Sequence, residues 1–269
     1  MDKSYEKLTP EHYKSELEPF IVRKSSLSPM SNPWLHWHES VEFLRCIEGS
    51  GKAIVNGCEY SFDKDDVIAV NSGYTHLLNV TDSSVNYAYL VIHPKFLTEN
   101  GIDPQVIRLA THIHDKKACE LFDNAIECYN AENDFTALKT RTSVQRFLLH
   151  VFENHLSFAD EQNELSSIDE IKKTVNYIRN NYSRDITLQT AADIAGFSVC
   201  YFSRKFKKVT GQTFVTFLNL VRCENADRLL KSGAKVADVC YECGFSDPSY
   251  FSRTFKNLMG YAPSSAGKK

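Results

Sequence analysis

The chain has 269 residues, of which 42% are hydrophobic and 24% charged, and its formal net charge at neutral pH is −3. That length allows two domains, each with a core of its own. No apolar run approaches the roughly 20 residues that a membrane span needs, and the polar N-terminus lacks the pattern of a signal peptide. We therefore expect neither a membrane protein nor a secreted one, but a cytoplasmic protein.

The charges are divided unevenly along the chain. Residues 168–269 carry 16 Lys and Arg against 9 Asp and Glu, a formal charge of +7, which leaves 15 basic and 25 acidic residues, or −10, in the remainder. Contacts from Lys and Arg to phosphate supply most of a protein's non-specific affinity for nucleic acid. Only the C-terminal part is therefore expected to meet DNA.

Eight cysteines are scattered through the chain, and only Cys240 and Cys243 form a C-x-x-C pair. A structural zinc site needs four ligands, usually from a second such pair, which the sequence lacks. The i, i+3 spacing instead predicts two half-buried residues of one helix, and we expect the thiols to be reduced.

Residues 1–30 are polar, with scattered aromatic residues and no clear period. From Pro33 onward, short apolar runs broken by turn signals predict an antiparallel β domain, either a small barrel or a sandwich. Asn56-Gly57 is a strong signal for a two-residue hairpin turn. The predicted strands are Val41–Ile47, Lys52–Val55, Glu59–Phe62, Val67–Val70, His76–Val80 and Val85–Ile92.

Four polar residues in this region share a recognisable spacing: His36, His38 and Glu42, followed later by His76. Alternation along an extended segment puts His36, His38 and Glu42 on the same side. With Gly49 and Gly73, the pattern resembles the two motifs of the cupins, in which such residues converge inside a β-barrel and can hold a divalent metal. The second motif is partial, because Asp65 and Asn71 stand where cupins favour Gly and Pro.

Three interpretations of these residues are open. As the polar lining of a pocket, they would bind a hydroxyl-rich small molecule, with Trp34 or Trp37 as a stacking face. As metal ligands, imidazole and carboxylate would suit a first-row divalent ion. As structural residues, they would satisfy one another and the backbone. We favour the pocket and predict no metal and no cofactor.

After Pro94 the pattern becomes helical. One apolar stripe comprises Ala118, Leu121, Phe122, Ala125, Ile126 and Tyr129, and a longer one comprises Leu138, Val144, Phe147, Leu148, Val151, Phe152, His155 and Leu156. Packing against the β domain accounts for part of both, and the apolar load of the second is compatible with a helix contact between subunits. Residues 157–167 have little to bury and predict a linker, after which Ile168 is expected to begin a helix.

The C-terminal part contains an internal repeat. Residues 196–211 read GFSVCYFSRKFKKVTG and residues 244–260 read GFSDPSYFSRTFKNLMG. Each copy predicts a helix that stops at a glycine, Gly196 or Gly244, and a second helix that follows. Ser198 is the expected N-cap of the first copy, and Asp247 with Pro248 that of the second.

In each second helix two phenylalanines lie four residues apart and share a face that must be buried: Phe202 and Phe206, then Phe251 and Phe255. Basic and hydroxyl residues occupy the opposite face. Two tight helices with this division predict a helix-turn-helix unit for the major groove. The spacer Thr213–Leu230 has its own apolar stripe, so we expect a stiff helix that holds the two units in a fixed relation.

Residues 168–263 resemble the DNA-binding domain of the AraC/XylS family of transcription regulators. The matching positions are Asn181-Tyr182, Ile186-Thr187-Leu188, Ala192, Ser198, Tyr201-Phe202-Ser203-Arg204, Phe206-Lys207-Lys208, Gly211, Arg222, Ala226, Leu229-Leu230, Val239, Gly244-Phe245-Ser246-Asp247, Tyr250-Phe251-Ser252-Arg253, Phe255-Lys256, Gly260 and Pro263. The resemblance implies seven helices with two helix-turn-helix units. Where the family usually closes with Tyr-Arg in a last helix this chain has Gly267-Lys268, so a short or frayed final helix is expected.

The sequence thus predicts an α+β protein: a cupin-like ligand-binding and dimerisation domain over residues 1–160, and a double helix-turn-helix domain over residues 161–269 that binds double-stranded DNA. Arg204 and Arg253 are the expected contacts to base edges or nearby phosphate. Secondary candidates for DNA contact are Cys200, Ser203, Ser249 and Ser252. Phosphate contacts are expected from Lys207, Lys208 and Lys256.

The favoured hypothesis is a sequence-specific transcription regulator without enzymatic activity. The resemblance implies a homodimer, contact with RNA polymerase if the protein is an activator, and activation of genes that often serve carbohydrate use, so a sugar is a candidate effector. A metal-dependent cupin enzyme with a tethered DNA-binding domain is the alternative from another class. A constitutive regulator with an empty barrel is a third.

Overall fold

A computed structural model of the chain describes residues 19–28, 35–80, 84–131, 134–157 and 162–266. The described residues fall into two compact units, one within Tyr5–Asp160 and the other within Glu161–Lys269. That each unit is a separately folding domain stays a prediction. None of the helices in the described ranges is both long enough and apolar enough to cross a membrane.

The N-terminal unit is built on two antiparallel sheets, which confirm the predicted cupin-like β domain. The strands are β1 (Phe20–Leu27), β2 (Val41–Glu48), β3 (Ser50–Val55), β4 (Cys58–Asp63), β5 (Asp66–Val70), β6 (His76–Asn79), β7 (Val85–Ile92) and β8 (His112–His114). Five of them form one sheet in the order β1-β7-β2-β5-β8, and three form the other in the order β4-β3-β6.

The hairpin between β3 and β4 follows the sequence signal. Val55 pairs with Cys58, so the loop consists of Asn56 and Gly57 alone. Both have positive φ, 51° and 78°. Asparagine and glycine tolerate that conformation better than other residues, which is why the dipeptide selects this turn.

Two strands were not predicted. The first is Phe20–Leu27, in a segment whose sequence shows no clear period; it pairs along its whole length with β7. Its first three residues are buried and the next four exposed, so it lacks the alternation that would reveal a strand. The three residues of β8 pair with β5 at the edge of the same sheet and are too few to give a periodic signal.

Helices cover one face of the larger sheet. They are α1 (Pro94–Glu99), α2 (Lys116–Asn130) and α3 (Thr136–Asn154). The predicted apolar stripes bury Phe122 and Phe147, whose rings lie 5.4 Å apart, and Phe147 also packs 4.9 Å from Phe43 of β2. Leu138 is an exception: it is 65% exposed, because it lies on the side of α3 turned away from the sheet.

The C-terminal unit is helical. Its described elements are α4 (Gln162–Asn181), α5 (Leu188–Ile194), α6 (Val199–Thr210), α7 (Phe214–Lys231), α8 (Val236–Glu242), α9 (Pro248–Met259) and a 3-10 turn, Pro263–Ser265. Six α-helices and a 3-10 turn within residues 162–266 therefore stand where seven helices were implied. The expected short final helix corresponds to the 3-10 turn.

The predicted start of α4 at Ile168 was wrong. The helix begins at Gln162 and takes in half of the segment predicted as a linker. Residues 162–165 include Gln, Glu and Leu, which favour helix, and the segment has no Pro or Gly to stop it. The low apolar content of residues 157–167 indicated a linker. Residues with good helix propensity nevertheless let α4 extend backward into this segment.

The two turn glycines of the repeat have positive φ, 67° at Gly196 and 85° at Gly244, but different surroundings. A Cβ on Gly196 would meet nothing within 4 Å. At Gly244 it would lie 2.8 Å from the backbone oxygen of Ser183 and 2.9 Å from that of Tyr182. The second turn therefore needs glycine both for its conformation and for close packing against the end of α4.

We predict that Gly244→Ala destabilises the protein more than Gly196→Ala. Both variants should lose about 1 kcal/mol of unfolding free energy because alanine is strained at positive φ. The contact with backbone oxygens at residue 244 should add about 1–3 kcal/mol. Urea denaturation followed by circular dichroism measures both. Equal losses would contradict the close contact.

Candidate functional site

The second helix of each repeat, α6 and α9, has ends that the sequence fixes. These two are termed the recognition helices below. Ser198 caps α6 by accepting a hydrogen bond from the Tyr201 amide, and Asp247 caps α9 by accepting one from the Tyr250 amide at 2.7 Å. Both end at a left-handed glycine, Gly211 or Gly260. The two helices are each 12 residues long, so the repeat in sequence is a repeat in structure.

The phenylalanine face of each recognition helix is buried. Phe202, Phe206, Phe251 and Phe255 are each 0% exposed. In the first copy the rings pack against α7, with Phe206 and Phe217 5.5 Å apart. In the second, Phe251 lies 5.0 Å from Phe245. Burial on one side leaves the opposite side of each helix facing solvent.

The residues predicted to contact DNA lie on that solvent-facing side. Eight of the nine are exposed: Cys200, Arg204, Lys207, Lys208, Ser249, Ser252, Arg253 and Lys256. Ser203 is half-buried. The hydroxyl of Ser252 donates to the carbonyl of Pro248 one turn earlier. The structure therefore gathers the predicted residues onto two equivalent faces, one on each recognition helix.

Sequence reasoning gave no role to two residues of α7 that connect it to neighbouring segments of the C-terminal unit. Arg222 donates from Nε to the carbonyl of Tyr182 at 2.8 Å and from a terminal nitrogen to that of Arg184 at 2.9 Å. Its guanidinium also lies 5.6 Å from the ring centre of Phe245. Burial lowers the pKa of Arg222. Arg222 is among the positions that match the AraC/XylS family, but the match alone does not reveal these contacts.

A second support is the hydrogen bond from Asn219 of α7 to the hydroxyl of Tyr250, at 2.7 Å. Tyr250 stands in the first turn of α9, so the bond fixes the beginning of the second recognition helix against α7. Tyr261 donates to Asp227 at the other end of α7. The long helix thus contacts the second repeat at both ends, as its predicted role as a stiff connector requires.

In the N-terminal unit the structure brings together His36, His38, Glu42 and His76, termed the sensor cluster below. Their ligand atoms all lie within 4.8 Å of one another. His38 and His76 are each 3% exposed and Glu42 is 6% exposed, whereas His36 is half-buried. The backbones of His36 and His76 form an isolated β-bridge, which holds the two cupin motifs side by side.

Both buried histidines place each ring nitrogen against an acceptor. In His38, Nδ1 lies 3.0 Å from the carbonyl of Ser40 and Nε2 lies 3.0 Å from Oε2 of Glu42. In His76, Nδ1 lies 3.2 Å from the carbonyl of Tyr74 and Nε2 lies 3.1 Å from the same Oε2. A carbonyl can only accept, so Nδ1 carries the proton in both rings.

That assignment leaves Nε2 of a neutral ring as a lone pair facing an ionised carboxylate. Burial alone would raise the pKa of Glu42, but hydrogen bonds donated from Nε2 of His38 and His76, when these rings carry a proton there as well, outweigh it and hold that pKa well below its usual range. Three acceptors therefore converge at one point. A cation at that point would satisfy all three. Histidines that ligate a metal commonly donate their other nitrogen to a carbonyl, as here.

Of the two tryptophans predicted to line a pocket, the structure describes Trp37. Trp37 is buried and stands between His36 and His38 in extended backbone, so it points to the opposite side. Trp34 lies outside the described residues. A cavity of about 420 Å³ opens elsewhere on this unit. It is lined by Ser50, Gly51, Lys52, Ser61, Phe62, Asp63, Asp66, His112 and His114, which include none of the residues predicted to bind a ligand.

Two protein-family models match this chain, one in its C-terminal part and one in its N-terminal part. A model described as a helix-turn-helix domain matches residues 191–269, and one described as a cupin domain matches residues 25–93. The first range contains both recognition helices, and the second contains the whole sensor cluster.

Several curated transcription regulators are similar to this chain, two of them over most of its length. YdeC of Bacillus subtilis, an uncharacterized HTH-type transcriptional regulator, is 24% identical over 100% of this chain and 97% of its own. RhaS of Mannheimia succiniciproducens, an HTH-type transcriptional activator, is 26% identical over 85% of this chain and 87% of its own. The activator Btr of Bacillus subtilis is 34% identical over 46% of this chain and 23% of its own.

Solved structures that match the chain include ToxT from Vibrio cholerae with a bound unsaturated fatty acid, at 16% identity and a TM-score of 0.40, covering 91% of this chain and 94% of that one. The DNA-binding domain of AdpA in complex with a target DNA is 25% identical with a TM-score of 0.36, covering 37% of this chain and 90% of that one.

Proposed function

Because the chain belongs to the AraC/XylS family of transcription regulators, we propose that its two recognition helices read double-stranded DNA under the control of an effector bound in the cupin-like unit. The observation that carries the proposal is that both recognition helices have the same division into a buried apolar face and an exposed basic face. Each recognition helix buries its two phenylalanines and exposes an arginine and at least one lysine.

The two helices would enter successive major-groove segments on one face of the duplex, about 34–36 Å apart. Arg204 and Arg253 occupy the same position in the two copies, so each would contact its own segment. An arginine can donate two hydrogen bonds to O6 and N7 of guanine, which makes these two the base-reading residues. The small side chains of Cys200, Ser203 and Ser249 would contact bases nearby, with Ser252 in support.

Lys207, Lys208 and Lys256 lie toward the C-terminal ends of the recognition helices, where they would contact phosphate. Such contacts orient the protein on DNA and make binding depend on salt, but they do not distinguish sequences. The net charge of +7 in residues 168–269 supports this assignment, since the remainder of the chain is acidic.

The sensor cluster is the proposed effector site. The sequence favoured a pocket without metal, but imidazoles with a carboxylate are a donor set that suits a first-row divalent ion, and Nε2 of His38 and Nε2 of His76 both face Oε2 of Glu42, where such an ion would bind. His36, His38, Glu42 and His76 would hold it. A bound cation would supply a positive centre for oxygen atoms of an effector, whether a sugar hydroxyl or another group. The chain's own residues would fix its position through the carbonyls of Ser40 and Tyr74.

The exposed side of α3 is the proposed contact between two copies. Leu138, Thr142, Gln145 and Leu149 follow the spacing i, i+4, i+7, i+11 and therefore share one face. Leu138 is 65% exposed and Leu149 60% exposed, whereas Phe147 and Val151 on the opposite side are buried. Two exposed leucines on one helical face are an expected feature of a two-fold symmetric helix contact.

The proposed regulator is an activator that works in the cytoplasm, where promoter DNA and RNA polymerase are found. The names of RhaS and Btr support activation. A catalytic role for the cupin-like unit is the weaker alternative, because the relatives with full-length similarity carry regulator names.

We predict that Arg204→Ala and Arg253→Ala each weaken binding to the preferred promoter sequence by about 1–3 kcal/mol, or roughly 5- to 150-fold in Kd. Fluorescence anisotropy on full-length protein with selected DNA measures this change. Lys173→Ala is the matched control, since it removes one positive charge from α4, where Lys173 pairs with Glu170. If all three variants bind equally well, the arginines do not read DNA.

A second prediction concerns metal retention. Protein purified without chelators should hold about one equivalent of a divalent metal in the buried sensor cluster, and His38→Gln and His76→Gln should lose it because an amide is a poor ligand. Elemental analysis after gel filtration gives the content. His114→Gln, an exposed histidine of the same unit, should retain it. If the wild-type protein held less than about a tenth of an equivalent of metal, the sensor cluster would not be a metal site.

A third prediction concerns assembly. Leu149→Glu should convert a dimer into a monomer, because two carboxylates would be brought together in an apolar contact. Val106→Glu is the control, since Val106 is 76% exposed but lies outside α3. Light scattering after size exclusion gives the mass. A wild-type monomer at tens of micromolar, or a dimeric Leu149→Glu variant, would argue against α3 as the interface.

A further inference from the structure

A second group of potential metal ligands, Asp115, His150 and His155, lies outside the cupin motifs. Asp115 is the N-cap of α2, His150 lies in the last turns of α3 and His155 is the C-cap of α3. Their ligand atoms lie within 4.8 Å of one another. His150 and His155 follow Asp115 by 35 and 40 positions in the sequence. Neither the predicted regulator function nor the sensor cluster uses these residues.

The two imidazoles are directed at a single oxygen. Nε2 of His150 and Nε2 of His155 each lie 2.8 Å from Oδ2 of Asp115. The other carboxylate oxygen, Oδ1, accepts hydrogen bonds from the amides of Lys117 at 2.7 Å and Ala118 at 3.2 Å. The capping bonds therefore fix the carboxylate in position and leave Oδ2 for the histidines.

The backbone around His155 is equally well fixed. Its amide donates to the carbonyl of Val151, and its carbonyl accepts from the amide of Ala110, both at 2.8 Å. An isolated β-bridge between Leu109 and Leu156 continues this pairing. The three ligands are thus held on supported backbone from α2 and α3, not on one free loop, as a metal site requires.

We propose that Asp115, His150 and His155 form a divalent-cation site that takes zinc or a similar first-row ion. Two imidazole nitrogens and one carboxylate oxygen are a known ligand set for zinc, with the fourth position left to water. Ligands of a tetrahedral ion bound at about 2.0–2.2 Å lie about 3.3 Å apart, so the present 2.8 Å contacts need to open by only about half an ångström.

Exposure distinguishes this site from the sensor cluster. The three side chains are 20–24% exposed, which gives an ion and its water access from solvent. The sensor cluster is largely buried, so an ion there would be retained through purification, whereas one at Asp115 would exchange with added metal. A cation bound here would link the start of α2 to the end of α3, shortly before the chain leaves the N-terminal unit.

The test uses full-length protein stripped with a chelator and titrated with zinc chloride. His150→Gln and His155→Gln keep an amide that can donate to Asp115 but remove an imidazole ligand. Asp115→Asn removes the carboxylate charge while asparagine remains a good N-cap. His114→Gln is the control, since this exposed histidine is adjacent to Asp115 in sequence but bonds to Asp66. Equilibrium dialysis with elemental analysis counts the zinc, and thermal unfolding reports its effect.

Wild type and His114→Gln should bind one equivalent of zinc more than each of the other three variants. Added zinc should raise the melting temperature of the former two by several degrees and that of the others by less. Equal zinc uptake by wild type and His150→Gln would overturn the proposal, as would the same loss in His114→Gln, which would indicate general surface binding. His38→Gln should leave this equivalent in place, so failure of the sensor cluster as a metal site would not affect the result.

Discussion

The burial of four phenylalanines against a shared helical support is the constraint on which the DNA-reading part of the molecule depends. Phe202, Phe206, Phe251 and Phe255 are fully buried, and each such side chain contributes about 1.5–3 kcal/mol. Since residues four apart lie on one face of a helix, burying them fixes the rotation of α6 and α9 about their axes. The exposed arginines and lysines of these helices are therefore constrained to point away from the core. The packing of the core determines where the charges point.

A buried carboxylate sets the corresponding constraint in the N-terminal unit. Taking Glu42 out of water is costly unless partners compensate the charge. The partners available are His38 and His76, whose Nδ1 atoms are already committed to backbone carbonyls. The strands that carry these residues are held together by the bridge between His36 and His76. Positive charge beside Glu42, from the histidines or from the proposed cation, would compensate the burial of its carboxylate.

Sequence reasoning succeeded where a signal is local and repeated, and failed where it is not. The Asn56-Gly57 turn, the turn glycines and the buried phenylalanines each follow from a few neighbouring residues. Phe20–Leu27 was missed because it gains its strand partner from β7, some 65 positions along the chain. Asp115, His150 and His155 were missed because only the packing of α2 on α3 brings them together. Leu138 was misassigned because an apolar residue at an approximate helical spacing does not reveal which neighbours cover it.

The distribution of ionisable residues separates sensing from reading. All nine histidines lie within the first 155 residues, while the C-terminal unit has lysines and arginines but no histidine. Lysine and arginine keep their charge throughout the physiological pH range, whereas imidazole exchanges a proton for a metal ion within it. The charge that faces DNA is therefore constant, and the groups able to change state are confined to the other unit. Under the proposed function, a change at those groups would have to be linked to DNA binding across two distinct sites.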